Sequence, residues 1–139
     1  MTTRTAIRAT VEVTGEVVTV DVVGPVPRKN TRHGHGRGGF YNDRTMVALI
    51  KAIKAAIPPG TQPIAAGAWE ARFAVYWPRM GRQPGREFPF GDVDAPISAM
   101  LDAIQRAGLL DDDTRIMGLT ATKFHHARKP GVLLTLVRL

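Results

Sequence analysis

Asp92, Asp94, Asp102, Asp111, Asp112 and Asp113 crowd into one short part of this chain, with only Arg106 and Arg115 close by to offset them. Elsewhere the chain is basic, and its formal net charge at pH 7 is +7. Carboxylates forced together repel one another, so the crowding asks for a reason. A hard divalent cation is one. Mg²⁺ takes oxygen ligands, commonly one or two carboxylates, with waters and a substrate phosphate as the rest. Such an ion activates water and stabilises charge on a phosphodiester under in-line attack. A structural reason serves as well: Asp92 and Asp94 can cap a helix at its positive end, and Asp111–Asp113 can form a solvated turn. Spacing alone does not choose between them.

These residues need a helix and a returning strand to bring them together. Asp94 is a good N-cap, Pro96 fits the first turn, and Gly108 suits a left-handed C-terminal position. Between them Ile97, Met100, Leu101, Ile104 and Ala107 share one face at ~100° per residue. Asp94, Ser98 and Asp102 follow at i+4 spacing on another face. The strand after the helix must run back along it, which could carry one of Asp111–Asp113 toward Asp92 and Asp94.

The rest of the chain supplies the support. Residues 6–13 and 17–23 alternate as strands, joined by a turn at Thr14-Gly15-Glu16. A helix is expected from Asn42 or Asp43 to about Ala56, with Met46, Leu49, Ile50, Ile53 and Ile57 as its apolar stripe. "AWEARFAVYW" reads as a strand with Trp69, Ala71, Phe73, Val75 and Trp77 on one face and Glu70, Arg72 and Tyr76 on the other. Further strands are expected at about 115–124 and 132–138. The order β-β-α-β-α-β-β predicts an α+β fold, a single domain over residues 1–139 with a mixed β-sheet and two helices packed on one face.

Three stretches rich in Arg, Lys, Gly and Pro separate these elements. They hold Arg28, Lys29, Arg32 and Arg37, then Arg82 and Arg86, then Arg128 and Lys129. Arginine suits phosphate contact, so an anionic partner is expected. Gly34, Gly36 and Gly39 sit too far from the preceding strand for a dinucleotide fingerprint, and the pairs His33/His35 and His125/His126 lack partners for a transition-metal site. The chain has no cysteine, which excludes disulfides, thiol catalysis and cysteine–zinc sites. No apolar run approaches the ~20 residues of a membrane helix, and nothing at the N-terminus resembles a signal peptide. The expectation is a soluble, cytoplasmic protein with an anionic partner, away from membranes.

The stretch "DVDAPISAMLDAIQRAGLLDDDTRI" resembles the signature of the RusA family of Holliday junction resolvases, approximately D-x-D-N-x-x-K-x-x-x-D-A-L, a short turn, then D-D-x-Q-V/I. Asp92 and Asp94 match the first pair, Asp102-Ala103-Ile104 the D-A-L, and Asp112-Asp113 with Arg115-Ile116 the end. The upstream "VVGPVPRKNTRHG…FYND" is similar to the family's strand, proline turn and basic loop. The likeness spans most of residues 17–138 and is most specific over 92–116. Two positions depart from the pattern. Ala95 replaces its Asn, and Ser98 replaces a lysine of the family's active site.

The resemblance implies a RusA-like, Mg²⁺-dependent endodeoxyribonuclease that resolves four-way DNA junctions in recombination and repair. It makes Asp92, Asp94 and Asp113 the catalytic carboxylates and Mg²⁺ ligands, with Asp102 and Asp112 in support. It implies a bound water attacking the scissile phosphate, a homodimer, and frequent occurrence in phages and prophages. Lys123 stands where many members carry a lysine and could supply the cation that Ser98 does not. The alternative expectation is a branched-DNA binding protein with weak or lost nuclease activity.

Overall fold

The computed structural model describes residues 6–26, 44–77, 94–125 and 128–139. Five strands, β1 (Arg8–Thr14), β2 (Val17–Val23), β3 (Trp69–Trp77), β4 (Ile116–His125) and β5 (Gly131–Arg138), form one sheet in the order β1-β2-β5-β3-β4. Two helices, α1 (Arg44–Ala56) and α2 (Asp94–Arg106), complete the fold. A 3-10 turn over Asp113–Arg115 precedes β4. The class is α+β, as the order of sequence patterns predicts.

Strand pairing follows from what each strand must bury. β1 and β2 form a hairpin in which Thr14 pairs with Val17, and Gly15 takes φ 58 at the turn. A left-handed residue at that position lets two twisted strands meet through a short loop. β5 lies between β2 and β3 and is antiparallel to both, whereas β3 and β4 run parallel. The sheet is therefore mixed, with α2 as the crossover between its two parallel strands, which no tight turn can join.

Register aligns the apolar residues in rows across the sheet. Val18, Leu136 and Ala71 form one row, Val20, Leu134 and Phe73 the next, and Val22, Val132 and Val75 a third. All nine are buried. Met46, Leu49 and Ile53 of α1 and Ile97, Met100 and Ile104 of α2 join them in one core. Burying each large side chain contributes about 1.5–3 kcal/mol, so both helices gain most by sharing this face of the sheet. The opposite face has no helix over it among the described residues. Its residues are half-buried or exposed, including Thr19, Leu133, Arg72, Tyr76 and Phe124.

α2 is helical from Asp94, within a residue of the expected start, and Gly108 takes φ 84 just past its end. Pro96 in its first turn lines one apolar cavity of about 430 Å³ with Val75 and Trp77. The start of α2 thus lies over the end of β3, and the helix runs back toward the start of β4. Ile64 locks that far end: its N–H donates to Leu109 O (2.8 Å), and its carbonyl accepts from Asp111 N–H (3.0 Å).

Candidate carboxylate and nucleic-acid site

The clustered aspartates divide between the two ends of α2. Asp94 opens the helix, and Asp111, Asp112 and Asp113 follow its other end. The chain does fold back against the helix. Asp113 N–H donates to Gln105 Oε1 (3.3 Å), and Gln105 Nε2 in turn donates to Leu101 O (3.2 Å). The return stops there. At ~1.5 Å per residue, Leu101 and Gln105 lie about 10–16 Å along the axis from Asp94. Asp113 therefore stands beside the second half of α2, while the first half leads toward Asp92. Asp92 lies outside the described residues, and of Asp94 only the backbone is described. Among the described residues, no three His, Asp or Glu side chains come together as a metal site.

Each aspartate of the 111–113 run has a different environment. Arg115 grips Asp111 with two bonds, Nε to Oδ1 (2.7 Å) and Nη2 to Oδ2 (2.9 Å). These bonds to Arg115 hold the Asp111 carboxyl below the usual carboxylate range. The same guanidinium reaches Gly67 O (3.4 Å) and so fastens the turn to the segment before β3. Asp112 caps the 3-10 turn, its Oδ1 accepting from Thr114 N–H (3.0 Å). That backbone bond lowers its pKa as well. Asp113 is exposed within the turn. Two of the three aspartates thus shape the turn, and the third is presented by it.

Asp102 belongs to the surface of α2, 3.5 Å from Arg106 one turn on. An exposed pair of this kind contributes little to stability. Ser98 is exposed on the same helix, one turn after Asp94. Lys123 lies opposite Val75 on β4 and continues the row Val22–Val132–Val75 at the sheet edge. It is therefore near the end of the sheet where α2 begins. Simple alternation would place Asp113 and Lys123 on one strand face, and the structure corrects this. The 3-10 turn holds Asp113 outside the strand, and the register shifts between Trp69 and Glu70 where β4 begins. The seven steps from Ile116 to Lys123 span about 23 Å of strand, which leaves Lys123 far from Asp113.

Of the basic residues, Arg28, Lys29, Arg32, Arg37, Arg82 and Arg86 lie outside the described residues, as do His33, His35, His126 and the Gly34–Gly39 stretch. Arg128 and Lys129 are described, and they differ. Arg128 Nη1 donates to Asp21 Oδ1 (2.6 Å) and Nη2 to Val22 O (2.9 Å). Its guanidinium also lies 4.4 Å from the centre of the Tyr76 ring. A cation paired this fully anchors the chain between β4 and β5, whereas Lys129 is exposed.

One arrangement escapes the sequence patterns. Tyr76 and Phe124 are neighbours on β3 and β4, and their rings stack at 5.3 Å with planes 23° apart. They stand on the sheet face that has no helix over it among the described residues, next to Arg128. Alternation assigns Tyr76 to the face opposite the tryptophans, but nothing local to either strand says that the two are adjacent. No family model matches this sequence, and no curated protein matches it significantly.

Proposed function

We propose that this protein is a Mg²⁺-dependent, structure-selective DNA endonuclease acting on four-way junctions. The observation that carries the reading is where the signature-like stretch falls in the fold. Asp94 opens α2, and Asp113 is an exposed carboxylate on the turn that leads into the parallel strand β4. A net charge of +7 alongside these acids suits a polyanionic substrate. The resemblance makes Asp92, Asp94 and Asp113 the ligands of Mg²⁺, which when bound supplies charge stabilisation at the phosphate and a more acidic water, although Asp94 and Asp113 stand at opposite ends of α2 here. Arg28, Lys29, Arg32, Arg37, Arg82, Arg86 and Lys129 would contact the DNA backbone and set position, not sequence. A junction has two strands to cut symmetrically, so a twofold homodimer is the matching assembly.

A second reading, a branched-DNA binding protein without efficient catalysis, is favoured by two observations. Ser98 is a neutral, exposed residue where the signature has a lysine. The described residues also leave Asp113 and Asp94 at separate ends of one helix. One experiment separates the readings. A labelled synthetic four-way junction is incubated with the protein and with Asp113→Asn, each with and without Mg²⁺. The nuclease reading expects cleavage only by the parent with Mg²⁺, and retained junction binding by the variant. Binding without cleavage by the parent would select the second reading. Equal cleavage by Asp113→Asn would remove Asp113 from the metal set.

A further inference from the structure

We infer that the outer face of Phe124 is a stacking site for an unpaired DNA base. The inference deepens the DNA-binding reading and rests on it. Strand order arranges a layered stack on the sheet face that has no helix among the described residues. Arg128 comes from the β5 side and lies over Tyr76 at 4.4 Å. Phe124 stacks on Tyr76 at 5.3 Å from the β4 side. Because β4 is the edge strand among the described residues, the described stack ends at Phe124, whose second face points away from Tyr76. Phe124 is 38% exposed.

The stack is held rigidly. Gly131, the β5 partner of Tyr76, has no side chain to stand between Tyr76 and β2. Arg128 is fixed by its bonds to Asp21 Oδ1 and Val22 O. Both rings sit in paired strands rather than on a loop. A preorganised ring with one open face costs little conformational entropy when a flat ligand adds to it. The cation at the closed end draws on the π-system of Tyr76.

A nucleobase is the flat ligand that the surrounding charge would select. Phe124 is followed five residues on by the exposed Lys129, so β4 leads from an aromatic ring to a cation open to a phosphate. A ring beside phosphate-binding cations is how single strands are held without reading sequence. At a four-way junction, a base freed at the crossover is the piece of DNA that such a ring can take.

The test compares a short oligo(dT) with an abasic strand of equal length and phosphate number, together with a four-way junction, by fluorescence anisotropy. Stacking predicts that the parent binds oligo(dT) roughly five- to a hundredfold more tightly than the abasic strand. Phe124→Leu should lose that preference, and Phe124→Trp should keep it. The indole introduced at the edge should also be quenched on binding oligo(dT) but not the abasic strand. Trp69 and Trp77 are buried and stay silent. Equal affinity of the parent for both strands, with no quenching in Phe124→Trp, would overturn the stacking site while junction binding persists. Failure of the parent to bind any of the three DNAs would overturn the DNA-binding reading itself.

Discussion

Arg115 holds both carboxylate oxygens of Asp111, while Asp113, two residues on, sits exposed in the turn. Two aspartates so close in sequence thus have different work. Because Arg115 favours the charged form, the Asp111 carboxyl titrates below the usual range in the folded chain. The sign of the linkage follows: a group whose folded pKa is depressed adds stability above its unfolded pKa, and loses it as pH falls through the folded value. The Asp111–Arg115 clamp should therefore weaken only in acid, below the ordinary carboxylate range. Carboxyl-carbon NMR gives the check. Arg115→Gln should raise the Asp111 titration midpoint toward the ordinary value, because the two charged bonds are lost. An unmoved midpoint would mean that another group depresses it. The same paired charge bears on function, since an Asp111 committed to Arg115 is a poor candidate for a metal, whereas Asp113 is a good one.

The elements were legible wherever burial writes a period into the chain. Trp69, Ala71, Phe73, Val75 and Trp77 alternate, and all five are buried on β3. Met46, Leu49 and Ile53 recur at helical spacing and are the buried face of α1. The 3-10 turn at Asp113–Arg115 was not legible, because three residues are too few to show a period. Nor was the insertion of β5 between β2 and β3, since pairing partners distant in sequence leave no local mark. That central strand makes a sharp demand at its first residue. A Cβ placed on Gly131 would stand 2.0 Å from Val22 O, a backbone atom that cannot move without disturbing the β2–β5 ladder. Overpacking of a fitted interior typically costs about 1–3 kcal/mol, and backbone contact puts this position at the upper end. Gly131→Ala should lower the denaturation midpoint in urea accordingly. An unchanged midpoint would show that β5 can begin later without loss. The exposed Gly15→Ala variant, with open space at its Cβ, serves as a control for strain at the hairpin turn alone.

Across the whole molecule, the candidate site is harder to read than the fold because it depends on where separate elements end. α2 starts over the end of β3 and finishes by the start of β4, so residues that are close in the 92–116 sequence lie at opposite ends of a helix. The basic stretches obey the same geometry. Residues 78–93 follow the end of β3, and Arg128 and Lys129 follow the end of β4, the two parallel strands. Parallel strands finish at the same end of a sheet, so Trp77 and His125, which pair, lie at one end. On the proposed DNA-binding reading, a polyanion engaged by a chain of net charge +7 must release counterions. If about six phosphates are neutralised, log K should fall with log salt at a slope of about −5 on duplex arms. Lys129→Gln should reduce the magnitude of that slope by about 1, as one exposed cation is lost. Arg128→Gln should leave it nearly unchanged, because Asp21 already balances that charge. Titrations of junction binding at several salt concentrations measure all three. A parent slope near zero would show that the basic stretches do not follow a phosphate backbone. Equal losses from Lys129→Gln and Arg128→Gln would mean that DNA competes successfully with Asp21 for Arg128, which frees the cation end of the Tyr76–Phe124 stack on binding.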